Sequence, residues 1–192
     1  MSQTTLDIKE PGLNVLPPGV ERHVVNAGGL TGLQIFPDDE IEIINDEGNQ
    51  ICEIICFDKD GKSEIGILNL KENGTKSFIK EILKRKDENS LKTNLQLKKR
   101  NLDINKSKSS ILFDNNTPSG EKIKIKSKDK CYIIFSAPQN DMLVSEQNPS
   151  SDLTIFIKRS KIVNDKELSV IPDTVFETNY EKNIDRETSI SY

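Results

Sequence analysis

The sequence predicts a mainly β fold of the α+β class, an antiparallel β-sandwich or barrel with one or two peripheral helices. Short apolar runs alternate with polar residues along the chain, turn-forming Asn, Asp and Gly separate them, and helical spacing appears in a single stretch. A chain of 192 residues is long enough for one well-buried core. We expect one β domain over 26–172, a lead-in over 1–25, and a linker or the start of a following region over 173–192.

The first strands are the clearest. Glu40 to Ile44 alternates, Asn45 to Asn49 is turn-forming, and Gln50 to Phe57 continues as a second apolar run, which together predict a β-hairpin. The second run is apolar on both faces, as is typical of a central strand. Asp58 to Lys62 then turns into Glu64 to Leu68, so we expect a three-stranded meander.

Helical spacing follows the meander. Apolar residues three and four apart predict one helix from about Lys76 to Lys86. The stretch from Lys84 to Lys108 is rich in lysine and asparagine but lacks interleaved aromatic residues. We interpret it as a solvated face rather than an arm that binds nucleic acid.

Strands resume in the second half of the chain, at 111–113, 122–126, 131–135 and 153–158. The run Lys122 to Lys126 places lysines on one face and isoleucines on the other. A strand of this kind faces water on one side, and we expect it to lie at a sheet edge.

Composition excludes several classes of protein. Lys and Arg number 27 against 31 Asp and Glu, so the formal net charge is -4 and nucleic acid is not an expected partner. The first residues, to Pro18, show no signal peptide, and no apolar run reaches membrane-spanning length. We therefore expect a cytoplasmic protein without membrane contact. Three cysteines, an odd number at irregular spacing, agree with a reducing compartment.

The residues that could carry chemistry are few. The single histidine, His23, lies in a turn-rich region and would have to serve any nucleophilic triad. A zinc site would need Cys52 and Cys56 to converge with His23 or Cys131, yet four residues of strand hold the first two ~13 Å apart. We therefore expect buried thiols, no catalytic residue and no metal site.

Three further motifs have a functional and a structural interpretation. The glycine-rich loop from Asn26 to Gly32 matches neither the P-loop nor the dinucleotide-binding spacing, so we interpret it as a turn. The acidic clusters 38–40 and 58–60 could bind a hard cation, but each flanks a strand, where acidic turns are ordinary. Turns are the preferred interpretation of all three.

Two blocks of the sequence resemble the urea-carboxylase-associated family. From Asn26 to Gln50, a glycine loop leads into a strand that ends in a Gly-Asn-Gln turn. From Gly120 to Ile157, a strand ends in the tripeptide 136–138 (Ser-Ala-Pro), before a loop with asparagine and a last strand. The two blocks bracket most of the chain between Asn26 and Arg159.

The departures from that family concern its proposed chemical groups. Members with proposed hydrolytic activity carry a central His-Asp pair and cysteines. Here a lysine-rich helical stretch replaces the middle, and Ser136, Ala137 and Pro138 lack the cysteine that the family places between Ala and Pro. The resemblance therefore implies the scaffold of the family without those groups.

Degenerate copies of this domain resemble the N-terminal segments of folate-dependent aminomethyltransferases related to the glycine-cleavage T-protein. The resemblance implies a non-catalytic accessory domain that binds or orients a small-molecule ligand or the adjacent aminomethyltransferase domain. It implies no cofactor in this chain, and tetrahydrofolate in a following domain. Two alternatives stay open: a stand-alone urea-carboxylase-associated protein that takes part in hydrolysis of a carboxylated urea or guanidine, and a small-molecule binding module.

The candidate binding residues lie in two loops that we expect to meet. Loops held by a rigid sheet collect binding groups, and both segments adjoin central strands. The alternative is that Asn, Asp and Gly only serve the tight turns. The candidate residues are Asn49, Gln50, Gln139, Asn140 and Asp141.

Overall fold

The computed structural model describes residues 16–74, 77–139 and 149–160, together with the backbone of 175–178. In this part of the chain, two open antiparallel sheets pack face to face, and helices cover the outer face of one of them. This confirms the predicted mainly β class, as a sandwich rather than a barrel.

The strands run as follows: β1 Val20–Val25, β2 Leu30–Ile35, β3 Glu40–Asn45, β4 Cys52–Asp58, β5 Ser109–Phe113, β6 Glu121–Lys126, β7 Cys131–Ser136, β8 Leu153–Lys158 and β9 Val175–Thr178. The first sheet has the order β1-β8-β3-β6, and the second has the order β5-β4-β7-β2-β9. The helices are α1 Phe78–Lys84 and α2 Glu88–Lys99, with short 3₁₀ helices at Ile65–Leu68 and Ile104–Lys106.

The described residues form three layers, the first sheet, the second sheet and the helices, with one apolar core between each pair of neighbouring layers. The inner core lies between the sheets, and the outer core lies between the second sheet and the helices. Strand β4 contributes to both, because Cys52, Ile54 and Cys56 face the inner core while Ile55 and Phe57 face the helices. The predicted central position of this strand is confirmed, since β4 lies between β5 and β7.

The predicted hairpin of β3 and β4 is wrong. These strands lie in different sheets: β3 pairs with β6 and β8, while β4 pairs with β5 and β7. The connection 46–51 crosses from one sheet to the other. Crossing allows the apolar faces of both strands to meet across the inner core, which buries more apolar surface than an isolated two-stranded hairpin can.

The prediction of a third meander strand from Glu64 to Leu68 is also wrong. Residues Ile65–Leu68 form a 3₁₀ helix, and the turn returns to β4 only through a single bridge between Phe57 and Ser63. The Glu64 side chain accepts a hydrogen bond from the Gly66 N–H at the start of this helix. Ile65 and Leu68 are thereby directed into the inner core, so their apolar character reflects burial rather than a strand.

The predicted helix at 76–86 is confirmed as α1, and a second helix, α2, occupies the stretch that we interpreted as a solvated face. Ser77 and Asp87 cap the two helices through hydrogen bonds to the N–H groups of Lys80 and Ser90. The helix α2 buries Ser90, Thr93 and Leu97. Its inward side is thus largely polar, and its outward side is lysine-rich.

Two further predictions concern the edge strand of the first sheet and the residue bounds of the β domain. Strand β6 lies at an edge of the first sheet, as predicted, with Lys122, Lys124 and Lys126 exposed. Strand β1 lies inside the predicted lead-in 1–25, and β9 lies inside the predicted linker 173–192, so the sandwich extends past both limits of 26–172. In the part of the chain described, no helix is long and apolar enough to cross a membrane.

Candidate functional site

The two predicted binding loops meet at Gln50. Its side chain is completely buried: Nε2 donates to the carbonyl oxygens of Pro138 at 2.9 Å and Ile51 at 3.0 Å, and Oε1 accepts from the Ser151 N–H at 2.8 Å. The Asn45 amide donates to the Gln50 carbonyl at 2.8 Å. Gln50 thus ties together the ends of β3, β7 and β8, and its amide is committed to the protein itself.

The turn before Gln50 is fixed by its backbone. Gly48 and Asn49 both have left-handed backbone conformations, with φ of 82° and 58°. A Cβ atom on Gly48 would lie 2.6 Å from the Ser119 backbone nitrogen, so only glycine fits. The Asn49 N–H donates to the Thr117 carbonyl at 2.7 Å. The sequence signal at this turn is therefore explained by its conformation.

The opposite loop is only partly described. Gln139 is exposed next to the buried Pro138, which makes Gln139 the candidate residue best placed to meet a ligand. Asn140 and Asp141 lie outside the described residues.

A buried carboxyl group on β4 was missed by our sequence analysis. Glu53 has no exposed surface, and its Oε2 accepts the Ile79 N–H at the start of α1 at 2.7 Å. The Ser77 and Ser109 hydroxyls lie close to the carboxyl group, but neither completes a hydrogen bond to Oε1. Burial raises the pKa of Glu53 above its ordinary value, and the neighbouring donors offset only part of that effect. A carboxylate inside a run that is apolar on both faces was the signal that could have found it.

An ion network at one end of the sandwich was also missed. The Arg159 guanidinium makes two parallel hydrogen bonds to the Glu21 carboxylate at 2.7 and 2.8 Å. It also donates to Asp39 Oδ2 at 2.7 Å and to the Gln34 carbonyl at 3.0 Å. His23 Nε2 lies 3.1 Å from Glu21 Oε2. The network joins β1 and β8 of the first sheet to β2 of the second.

The Asp39 carboxylate explains the acidic cluster 38–40 in part. Its side chain is 1% exposed and accepts hydrogen bonds from the Phe36 N–H at 3.0 Å and the Ser160 N–H at 2.9 Å. Asp38 fits the turn interpretation, with a left-handed backbone and an exposed ion pair to Lys126. In the other cluster, Asp58 Oδ1 accepts from the N–H groups of Asp60 and Lys62, as an acidic turn does.

The cysteines and the histidine do not form one site. All three cysteines are free and buried in the inner core, and the Ser127 hydroxyl lies 3.4 Å from the Cys131 sulfur. Burial raises the pKa of Cys52, and the neighbouring Cys131 thiol together with burial raises the pKa of Cys56. His23 lies on β1 rather than in a turn. Among the residues described, no three His, Cys, Asp or Glu side chains are arranged to hold a metal ion.

No protein-family model matches the chain. The chain is similar to the trimethylamine-oxide aldolase of Ruegeria pomeroyi, with 31% identity over 153 residues. The alignment covers 80% of this chain but 19% of that protein. The chain therefore spans about a fifth of the length of the curated relative that it matches.

Proposed function

We propose that this chain acts as a non-catalytic accessory domain, which binds or orients, in a folate-dependent aminomethyltransferase-like protein. The observation that carries the proposal is the alignment, which covers 80% of this chain and 19% of the relative. In that relative, the aligned segment is about a fifth of a longer protein, as an accessory domain would be. In such a protein, tetrahydrofolate would be held by a following domain.

The geometry at the two meeting loops supports an orienting role. Gln50 and Asn45 direct their amides to backbone groups inside the domain, and Arg159 is occupied by Glu21 and Asp39. These polar groups hold the two sheets in a fixed relation. A rigid scaffold of this kind can position a neighbouring domain or a ligand without taking part in the reaction.

The name of the relative gives the proposal its chemical setting. An aldolase of trimethylamine oxide acts on a carbon bonded to nitrogen, and an aminomethyltransferase also acts on such a carbon. We infer that the parent protein of this domain works on a small nitrogen compound of this class. We also infer a cytoplasmic location, which the three free, buried thiols support.

A domain exchange tests the accessory role. The 153 aligned residues of the Ruegeria aldolase are replaced by the matching part of this chain, and turnover of trimethylamine oxide is measured alongside circular dichroism and gel filtration. An accessory domain leaves most of the turnover in a folded chimera. A chimera that folds and keeps its oligomeric state but loses turnover would show that the relative's own segment supplies reacting groups, which would overturn the proposal.

The coding sequence offers an independent test against the stand-alone alternative. A reading frame that continues past Tyr192 into a T-protein-like region supports the accessory domain. A stop codon there, beside genes for urea or guanidine metabolism, would favour the urea-carboxylase-associated protein that takes part in hydrolysis.

A small-molecule binding module is the second candidate. A groove between α1, α2 and the 3₁₀ helix Ile104–Lys106 favours it, because exposed lysines border an apolar floor of leucine side chains there.

A further inference from the structure

A groove of about 440 Å³ opens on the outer surface of the helix layer. It lies between α1, α2 and the 3₁₀ helix Ile104–Lys106. Leu83, Leu97 and Leu102 form a buried apolar floor, and Ile104 borders it half-buried. The volume is within the range of about 300 to 1,000 Å³ that is usual for small-molecule sites.

Lysines stand on both walls of the groove. Lys80 and Lys84 project from α1, and Lys98 projects from the last turn of α2. The Lys80 ammonium donates to the carbonyl oxygens of Asn105 and Ser107, at 3.1 and 3.3 Å. Lys84 and Lys98 are exposed. Within the described residues, the ammonium groups of these two lysines make no hydrogen bond and no ion pair. Two cationic groups are thus free to meet a ligand from opposite sides.

One acidic side chain also lines the groove. The Asp103 carboxylate accepts the Asn105 N–H at 3.0 Å and lies 3.6 Å from the Lys106 ammonium. The cation nearest to this carboxylate, Lys106, thus lies outside the groove lining. With three lysines against this one carboxylate, the lining keeps a positive balance.

The charges of the whole chain reinforce this local balance. Residues 84–108 contain nine Lys and Arg against three Asp and Glu, a net charge of +6. The rest of the chain then contains 18 basic and 28 acidic residues, a net charge of -10, which together give the formal -4. Anions are attracted to the helix layer and repelled by the remainder, so the field of the molecule favours approach at the groove.

Exposed apolar surface continues from the groove along α2. Leu91 is 55% exposed and Leu95 is 60% exposed, one helical turn apart. Lys98 follows Leu95 by three residues, so the leucines adjoin the groove on the side of that lysine. Apolar surface therefore lies both below and beside the cationic rim.

We propose that this groove binds a small organic molecule that carries two anionic groups on an apolar body. The anionic groups meet the lysines of the two walls, and the apolar body lies on the leucine floor. The inference extends the binding part of the proposed function to a specific site. It does not concern the orienting role that the domain exchange tests, so either one can fail alone.

Titration with glutarate, a five-carbon dicarboxylate, tests the proposal. We expect glutarate at low ionic strength to shift the backbone NMR signals of residues 94–105 in the ¹⁵N-labelled chain. The matched variants are Lys98→Gln and Lys99→Gln, which remove the same charge from the same helical turn, although Lys99 does not line the groove. The first weakens binding by about two- to fivefold, as loss of one exposed charge contact does. The second leaves binding almost unchanged.

Two outcomes would overturn the inference. Equal weakening by Lys98→Gln and Lys99→Gln would show unspecific attraction to a basic surface. Inorganic phosphate that binds as tightly as glutarate would show that the apolar floor contributes nothing. Neutral glutaramide, which has the same carbon chain, serves as the control and should leave the signals unshifted.

Discussion

Arg159 connects the two sheets through its ion pairs with Glu21 and Asp39 and its hydrogen bond to the Gln34 carbonyl. Its partner Asp39 is almost completely buried, and a buried carboxylate without a cation is costly. The Phe36 ring centroid lies 5.6 Å from the guanidinium carbon and covers the network on one side. The position of Arg159 directly after β8 is therefore a structural requirement of the sandwich.

Replacing Arg159 with Met should lower the free energy of unfolding by about 3 kcal/mol, since it leaves the Asp39 charge buried and unpaired. Urea denaturation measures the loss. The matched control is Arg22→Met, because Arg22 is exposed on β1 and makes one weak contact, 3.4 Å from the Thr154 hydroxyl. A loss no larger than that of the control would show that the network does not stabilise the fold.

The pH dependence of stability should reveal Glu21. Burial alone would raise the Glu21 pKa, but hydrogen bonds from His23 and Arg159 outweigh it and lower the pKa to about 2. A lowered pKa stabilises the folded state above the ordinary value of 4.5, and this contribution is lost as the pH falls from 4.5 towards 2. Denaturation between pH 6 and 2 should show a smaller slope for Glu21→Gln. Equal slopes in the two proteins would contradict the assignment.

Gln50 should behave as a structural residue rather than a ligand contact. Gln50→Ala leaves the Pro138 carbonyl and the Ser151 N–H buried without partners, which should cost about 2 to 3 kcal/mol. Gln139→Ala, on the exposed side of the same junction, should change stability by less than about 0.5 kcal/mol. Thermal and urea unfolding compare the two. Unchanged stability of the Gln50→Ala variant would contradict this structural role.

The sequence indicated that the two loops meet, but not that Gln50 serves the fold. An amide in a polar turn looks the same in both roles, because its hydrogen-bond partners are backbone groups that leave no trace in the sequence. Glu53 is different. An acidic residue inside an apolar run on a central strand predicts a buried carboxyl group, and this pattern is visible in the sequence around Glu53.

The helix α1 depends on Glu53 of the neighbouring sheet as well as on its own cap. The Glu53 carboxyl accepts the Ile79 N–H, one of the donors that has no partner within the helix. At the C-terminal end of α1, the Ser90 hydroxyl and the Asn94 amide of α2 donate to the carbonyl oxygens of Ile82 and Leu83. Polar side chains thus satisfy both ends of α1.

Variants of Glu53 should separate its charge from its hydrogen bond. Glu53→Ala removes the acceptor for the Ile79 N–H and leaves a cavity, at a cost of about 2 to 4 kcal/mol. Glu53→Gln keeps an acceptor oxygen. Because burial raises the Glu53 pKa, the wild type loses stability as the pH rises from 4.5 through the folded-state pKa, and the Gln variant should not. Denaturant midpoints from pH 4 to 8 measure this, and parallel curves would contradict it.

The buried residues of α2 explain why the sequence pattern there predicts a solvated face. The residues that it buries are Ser90, Thr93 and Leu97, so the apolar period that identifies a surface helix is nearly absent. The predicted hairpin of β3 and β4 is wrong for a different reason. A turn does connect the two strands, but β3 pairs with β6 and β8, which lie far along the chain. Local sequence patterns do not identify such distant pairing partners.

The three-layer arrangement should produce a gradient of local stability. Strands β4 and β7 have neighbours on both edges and apolar cores on both faces, whereas β1 and β6 close the edges of the first sheet. Central strands open only when the whole molecule unfolds, and edge strands open locally. We expect the hydrogen-bonded amides of β4 and β7 to exchange slowest.

Native-state hydrogen exchange followed by NMR measures this gradient. The slowest amides should report the same free energy as urea denaturation. Slowest exchange in β6 would mean that another surface covers that edge in solution. The sequence predicted this pattern in outline, since both the two-sided apolar run of β4 and the lysine face of β6 are visible in it.

The completely buried cysteines allow opening of the sandwich to be followed by thiol alkylation. Each of the three thiols lies in the inner core with no exposed surface, so a thiol reagent reaches them only after the sheets separate. The speed of alkylation then follows the population of open molecules, without a dye or an engineered probe. A molecule that binds the folded form slows alkylation in proportion to its occupancy. Affinity for the groove can thus be measured by mass spectrometry on unlabelled protein.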